Sequence, residues 1–328
     1  MFSFEYHSYN YRQVLQELAA ALKTDLKDCR LDYPEHFARG YTQCIELPNG
    51  LQAMVSDYTL NDQYYIKRNG SPDEYYVLRY EDIHVEDEMT LKIDGDTLKT
   101  KNDHHAGIYL VSTLFDVSYL GKNGTSVKGV HIIFNKNWLA EHLQIKDPEE
   151  VLTAYLNLKT RSYTIEPIDN EYRRYFNEIL YADKDSPLRI ATIQNRIMLL
   201  IERFFSRLYD KSRNVLASPR ISTHDVRQLM QVEAILIRDI HNRPPTIDQL
   251  AHEATMSSAK LKKLFKEVYG TSIYAYYQKQ RMAVAREMLL SGDFTVKEVG
   301  LQVGYSNLSN FAAAFRKEFQ ILPSEIRA

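Results

Sequence analysis

The feature that most constrains this chain is a pattern written twice in its last hundred or so residues. The first copy holds Thr246-Ile247, Leu250-Ala251, Met256-Ser257, Leu261 and Phe265-Lys266. The second holds Thr295-Val296, Val299-Gly300, Tyr305-Ser306, Phe311 and Phe315-Arg316. The copies stay in register up to a turn, past which the second carries one extra residue. Each predicts a short helix, a tight turn and a second helix. Each opens on a capping box, Thr246 with Gln249 and Thr295 with Glu298, whose side chains satisfy the orphan amides of a helix start. Within each second helix the apolar residues share one side: Leu261, Leu264, Phe265 and Val268, then Leu308, Phe311, Phe315 and Phe319.

The outward sides differ. At 100° per residue, Ala259, Lys262, Lys263 and Lys266 point away from the apolar side of the first of these helices. Ser309, Asn310, Ala313 and Lys317 do so in the second, with Arg316 at the flank. A helix-turn-helix that shows cations, amides and small residues outward suits a DNA major groove. Ammonium groups meet phosphates or guanine edges, amides pair with adenine, and small residues leave room for a thymine methyl. Ser258 and Asn307 complete the candidate DNA-contacting set. A solvated face is the plain alternative for a single lysine cluster, and it remains the plainer reading of Lys266 and Lys317; repetition of the whole motif argues against it for the rest. Phosphate is the expected partner of Arg316.

A chain of 328 residues is long enough for two domains, and its composition, 44% apolar and 26% charged, is that of an ordinary soluble protein. No apolar run approaches the roughly 20 residues that span a bilayer. Met1-Phe2-Ser3-Phe4-Glu5 lacks the basic and apolar segments of a secretory signal. Cys29 and Cys44 are too few for a disulfide framework and lack metal-ligand company. These points predict a cytoplasmic protein without a membrane partner. The net charge of −2 hides an asymmetry: roughly +4 from Pro219 onward and roughly −6 before it. A mildly basic end on an acidic body suits a C-terminal module that meets a polyanion.

Taken in order, Tyr11 to about Leu22 predicts an amphipathic helix. From about Phe37 to Phe134, runs rich in Tyr, Val and Ile alternate with turn signals at Pro48-Asn49-Gly50, Asn69-Gly70-Ser71-Pro72, Asp94-Gly95 and Lys122-Asn123-Gly124. Tyr64–Ile66, Tyr75–Tyr80, Gly107–Val111 and Gly129–Phe134 read as strands of a β-sandwich or barrel. A helical region begins at Asn137-Trp138. Helices follow over about Asp169–Tyr181 and about Leu188–Leu208, broken near Ser186-Pro187. The second carries Ile190, Ile193, Ile197, Met198, Leu200, Ile201 and Phe204-Phe205, an apolar stripe broad enough to serve the sandwich and also a second copy of the chain; the alternative is one internal core. Lys211 to Arg220 looks like a linker. Ser222 with Asp225 predicts a cap for a helix from Val226 to about Ile240, ending before Pro244-Pro245. A long helix, about Ile273 to Leu290, would hold the two motif copies at a fixed separation.

These C-terminal residues closely resemble the AraC/XylS family of bacterial transcription regulators. Beyond the doubled motif, Gly270-Thr271-Ser272, Ala285-Arg286-Glu287-Met288-Leu289, Val303-Gly304-Tyr305 and Pro323-Ser324 carry the likeness, over about a third of the chain. It implies a seven-helix domain whose two helix-turn-helix units each insert their second helix in a major groove. Three positions depart from the family's habit: Ala313 stands where a long polar residue is common, Ile273 where Pro is usual, and Gln320 where Gly often ends the helix. The N-terminal part is loosely similar, in element order alone, to cupin-like sensor and dimerisation domains. The expected fold is thus multidomain α+β: residues 1–150 a cupin-like β-sandwich or barrel, 151–210 a helical dimerisation segment, 211–222 a linker, and 223–328 the all-α DNA-binding domain.

Inside the sandwich, Tyr64, Tyr65, Lys67, Arg79, Tyr80 and Tyr109 are candidate contacts for a polar or sugar-like effector, although strand alternation sends half of any such set outward. His84, His104, His105 and His131 invite a metal reading. The His-x-His pair with a downstream Glu that metal-dependent cupins use is missing, and His84-Val85-Glu86 is a poor substitute, so no metal or other cofactor is expected. No phosphate loop, nucleophile elbow or carboxylate pair stands out, and no catalysis is expected. The leading expectation is a dimeric, sequence-specific DNA-binding transcription regulator, an activator with RNA polymerase as a further partner, whose N-terminal domain senses a small molecule. One alternative keeps the DNA domain and makes the N-terminal part a docking surface for a protein. A remote one is a metal-dependent cupin enzyme fused to a DNA module.

Overall fold

The computed structural model describes residues 1–85, 89–93, 96–100, 104–148, 152, 167–213, 223–238, 240 and 244–326. The chain divides into two compact units, Met1–Thr223 and His224–Ala328. Glu86, the Asp94-Gly95 turn, Ser218-Pro219-Arg220 of the expected linker and the Ser222 cap lie outside the described residues, as do the side chains of His104 and His105.

The first unit opens on β1 (Phe2–Tyr6) and α1 (Tyr11–Leu22). It continues through β2 (Arg30–Asp32), β3 (Ala38–Glu46), β4 (Gln52–Leu60), β5 (Tyr64–Arg68), β6 (Tyr76–His84), β7 (Met89–Ile93), β8 (Asp96–Thr100), β9 (His104–Ser112), β10 (Val117–Gly121) and β11 (Ser126–Phe134). Two sheets result, in the orders β1-β5-β10-β7-β8 and β2-β3-β4-β11-β6-β9. The four expected strands fall within β5, β6, β9 and β11. Two of the expected turns reverse the chain on a left-handed glycine, Gly50 (φ 81) between β3 and β4 and Gly124 (φ 82) between β10 and β11. β1 was not expected; it pairs in parallel with β5, Phe2 opposite Tyr64.

The six-stranded sheet is covered on both faces. Leu78, Tyr80, Val130, Ile132 and Phe134 pack against the helices that follow, while Val77, Ile83, Val127 and Ile133 join Val14, Leu15 and Leu18 of α1 on the other side. Those helices are α2 (Lys136–Leu143), α3 (Asn170–Leu180) and α4 (Arg189–Arg213). Asp169 starts α3 by accepting the amides of Glu171 and Tyr172, both at 3.0 Å, and also accepts from Arg203 (2.7 Å) and Arg207 of α4. Arg173 pairs with Asp82 of β6 at 2.6 Å, and the Tyr80 hydroxyl donates to the Leu200 carbonyl at 2.8 Å.

Two expectations change here. The broad stripe of α4 does not need a second copy: Ile193, Ile197, Leu200, Ile201, Phe204, Phe205 and Leu208 are all buried in this unit's own core. The helix lies against both the sheet and α3, so two of its sides are apolar; Leu188 and Ile190, at its start, stay exposed. The helix also runs on to Arg213, through Lys211–Arg213, which read as linker.

The second unit is α5 (Thr223–Arg238), α6 (Ile247–Glu253), α7 (Ser258–Tyr269), α8 (Ile273–Ser291), α9 (Val296–Gln302), α10 (Leu308–Phe319) and a 3-10 turn, Pro323–Glu325. α5 begins three residues before the expected Val226. It has two cores, and α8 belongs to both. Ile273, Tyr276 and Tyr277 join Leu229, Val232, Leu250, Leu261 and Phe265 in one; Met282, Ala285 and Leu289 join Val299, Val303, Phe311 and Phe315 in the other. One continuous helix thus fixes the spacing of the two. Among the described residues no helix is long and apolar enough to cross a membrane.

Candidate nucleic-acid interface and the sandwich interior

In the first helix-turn-helix, the Thr246 hydroxyl accepts the Gln249 amide at 3.3 Å and the Thr246 amide donates to Gln249 Oε1 at 2.8 Å, closing the expected box. The turn passes through Thr255 at φ 49, and Ser257 caps α7 by accepting the Lys260 amide at 3.2 Å. α7 buries Leu261, Phe265 and Tyr269, with the Phe265 ring stacked on Tyr269 at 4.3 Å. Ala259, Lys262, Lys263 and Lys266 are all exposed. Ser258 is half-buried and its hydroxyl donates to Asp248 at 2.6 Å, while Lys260 pairs with Asp225 at 2.8 Å. Three ammonium groups therefore share one solvent-facing side.

The second unit repeats the frame. Thr295 and Glu298 close the box at 2.7 and 3.3 Å, Gly304 (φ 79) makes the turn, and Asn307 Oδ1 caps α10 by accepting the amides of Ser309 (2.8 Å) and Asn310 (3.2 Å). Phe311 and Phe315 are buried, and Ser309, Asn310, Ala313, Arg316 and Lys317 are exposed. The Asn307 oxygen is thus committed to the cap, leaving its amide nitrogen for a ligand. Leu308, expected on the apolar side, is 38% exposed; it lies over Gly300, where a Cβ would stand 2.9 Å from its Cδ2 and 3.1 Å from the Phe311 ring. Arg281 of α8 is buried beneath this turn. Its Nε donates to the Val303 carbonyl at 2.8 Å, and its guanidinium lies 4.3 Å from the Tyr305 ring centre. The sequence reading missed this arginine, whose main partner is a backbone carbonyl.

Between the two sheets of the first unit lies a cavity of about 90 Å³. Of the six candidate ligand residues, Tyr64 and Arg79 line it. Tyr65 and Lys67 do not, and Lys67 pairs with Asp116 at 3.1 Å. Tyr80 faces the helices on the opposite side of the sheet, because adjacent strand residues point apart. Tyr109 is buried with its hydroxyl donating to Glu81, outside the cavity wall. The wall also holds Arg68, Glu81, Tyr119 and His131, of which only His131 had been considered, and for a metal. Glu81 accepts from Arg79 and lies 2.7 Å from His131 Nε2. Burial raises the Glu81 carboxyl, but the Arg79 charge and the His131 and Tyr109 hydrogen bonds outweigh it and hold it well below the usual carboxylate range. Burial, helped by Arg79, lowers the His131 imidazole despite Glu81. The fixed Arg79 charge also opposes a cation at Glu81 and His131. Among the described residues no three His, Cys, Asp or Glu side chains gather as a metal site.

A helix-turn-helix domain family matches residues 250–328. The transcriptional activator NphR of a Rhodococcus species is 26% identical over 190 residues, 56% of this chain and 55% of that protein. The xylose operon regulatory protein of Escherichia coli K12 is 26% identical over 217 residues, 62% of this chain and 50% of that one. The chain thus spans about half the length of the curated relatives it matches. A crystal structure of a transcriptional regulator with an AraC-type DNA-binding domain, from Chromobacterium violaceum, aligns at 28% identity over 30% of this chain and 88% of that chain, with a TM-score of 0.28. The C-terminal unit of this chain is an AraC-type helix-turn-helix domain, and its relatives are AraC/XylS-family regulators.

Proposed function

We propose that this chain is a sequence-specific DNA-binding transcription regulator, an activator, that works in the cytoplasm as a homodimer and answers to a small molecule. The observation that carries the reading is the pair of helix-turn-helix units built on one shared helix, α8. Each buries the apolar side of its second helix and leaves a polar or cationic side in solvent. In this reading Lys262 and Lys263 of α7 contact DNA, Ser309 and Asn310 of α10 contact base edges, and Arg316 holds a phosphate. Ser258, Ala259, Lys266, Asn307, Ala313 and Lys317 border these contacts. RNA polymerase would be the partner at the promoter, and the chain would have no catalytic role. The division into a sensor (1–150), a helical segment (from 151 to the end of α4) that would carry the dimer contact, a linker after Arg213 and a DNA-binding domain (223–328) belongs to the same reading.

The cavity between the sheets, though small, favours a small ligand over a protein-docking N-terminal unit, which would need no cavity. The test is binding of full-length protein to duplex DNA across a salt series. Lys262→Ala with Lys263→Ala is expected to reduce the slope of log K against log salt by about two units, about one per lost phosphate contact. An unchanged slope would remove α7 from the interface.

A further inference from the structure

Cys29 and Cys44 are the chain's two cysteines, and the fold sets them opposite each other. β2 and β3 pair in antiparallel register, with Leu31 opposite Thr42 and Arg30 opposite Gln43, so the next pair out is Cys29 and Cys44. The Cys44 amide donates to the Cys29 carbonyl at 2.8 Å, which closes that pair. Residues opposed in this way stand about 5.5 Å apart at Cα, inside the roughly 4.4–6.8 Å that a disulfide spans. The side chains share a face: Cys44 is buried in the apolar cluster that includes Val14, Leu18 and Leu31, and Cys29 packs against the same cluster.

The two thiols differ in what can reach them. Cys29 is half-buried, in a tight turn whose ends, Lys27 and Arg30, exchange backbone hydrogen bonds at 3.0 and 2.7 Å. Asp28 (φ 48) and Cys29 (φ 56) are both left-handed there, a conformation that favours Asn-Gly, so the backbone alone would select glycine at position 29. Cys44 is only 4% exposed. Burial pushes its thiol up to about 12, and the charge of Cys29 adds to the shift, so the two sulfurs feel each other. Arg12 of α1 pairs with Glu46 at 2.8 Å and is raised above its usual range by that carboxylate first and by Cys29 next. A guanidinium therefore lies near the more accessible thiol.

We propose that Cys29 and Cys44 are a site of reversible oxidation to an intramolecular disulfide, with hydrogen peroxide as the oxidant. The Cys29 sulfur attacks one peroxide oxygen and the O–O bond breaks. A sulfenic acid forms on Cys29, and the other oxygen leaves as water with the thiol proton. The Cys44 sulfur then attacks the Cys29 sulfur, the S–O bond breaks, and the Cys44 proton leaves with the hydroxyl as a second water. Two thiols give up two electrons and the peroxide takes them. In a reducing compartment such a bond is transient and serves to register oxidation. Neither cysteine lines the cavity between the sheets, so the proposal stands apart from the small-molecule reading.

The test treats full-length protein with hydrogen peroxide, then counts free thiols and maps peptides by mass spectrometry without reduction. Expected is the loss of both thiols and of the mass of two hydrogens, with a linked peptide pair joining Cys29 to Cys44 and full reversal by dithiothreitol. Before oxidation, alkylation of Cys29 should outrun that of Cys44 by about tenfold or more. Cys44→Ala should stop at a Cys29 sulfenic acid that dimedone traps. Cys29→Gly, which relieves the left-handed turn, should fold at least as well as wild type and leave Cys44 unoxidised. If Cys44→Ala does not fold, Cys29→Gly and the peptide map decide the matter. A Cys29 sulfinic acid with Cys44 still free overturns the proposal. So does a disulfide between two chains, or two intact thiols under peroxide that oxidises free cysteine.

Discussion

The two helix-turn-helix units place their left-handed residues in opposite order. In the first, Thr255 (φ 49) makes the turn and Gly270 (φ 73) ends α7; in the second, Gly304 (φ 79) makes the turn and Gln320 (φ 63) ends α10. The geometry is common to both copies, so the frame sets the backbone and each sequence meets it in its own way. A β-branched threonine is strained at such a φ. Gln320 is helped by its side chain, whose amide donates to the Lys317 carbonyl at 3.1 Å. The outer faces diverge further. α7 presents Lys262, Lys263 and Lys266, point charges suited to gripping a polyanion anywhere along it. α10 presents Ser309 and Asn310, whose hydrogen bonds depend on which base edge they meet. On the proposed reading, one frame carries a gripping head and a reading head.

The largest expected effect separates the two cores. Arg281→Leu should destabilise the second core by about 3 kcal/mol, by orphaning the buried Val303 carbonyl and removing the stack on Tyr305. Hydrogen exchange should rise in α9 and α10 and stay near wild type in α6 and α7; equal loosening of both would mean that the cores do not open separately.

Next comes the contrast of the heads. Asn310→Ala should relax preference at one base position by about 1–3 kcal/mol, seen in competition between operator variants. Lys262→Ala should weaken all duplexes alike and lower the salt slope by about one unit. The reverse assignment of these effects would exchange the two roles.

The turns sharpen the comparison at smaller scale. Thr255→Gly should raise stability by about 1 kcal/mol in denaturant unfolding, and Gln320→Gly by less because a side-chain hydrogen bond is lost with the strain. A stability loss at Thr255 would mean that the hydroxyl or methyl does more than the backbone argument allows.

The smallest effect is a pH dependence in one copy only. The hydrogen bonds from the Thr295 amide and hydroxyl hold the Glu298 carboxyl below its ordinary value of 4.5. A folded-state pKa lowered in this way adds stability that is complete above about 4.5 and fades as pH falls through the folded value. The first copy uses Gln249, which does not titrate. In NMR titrations the Thr295 amide should therefore shift in the acid range while the Thr246 amide does not, and Glu298→Gln should abolish the shift.

Much of the C-terminal unit was legible because its signals are local. Thr246 and Thr295 cap the helices they begin, as expected, and the apolar spacing from Leu261 to Phe265 and from Phe311 to Phe315 fixes which sides are buried; the caps at Ser257 and Asn307 were not foreseen. Arg281 was not legible, since its partner is a carbonyl 22 positions away and carbonyls leave no mark in a sequence. In the first unit, periodicity failed where it was most needed. β6 is buried on both faces, from Tyr76 through Ile83, so alternation could not say that Arg79 looks into the cavity and Tyr80 away from it. Arg68 could have been found: it lies four residues beyond Tyr64 and so on the same face of β5. α4 misled for a related reason, since apolar breadth records how many neighbours a helix has and says nothing of whether they belong to another chain.

The most direct test of two unlike heads on one frame is selection of bound sequences from a random duplex library by full-length protein near physiological salt. The account predicts two short blocks about 10 bp apart, centre to centre, with the block under α10 the more sharply defined. A single block, or no enrichment at all, would contradict it.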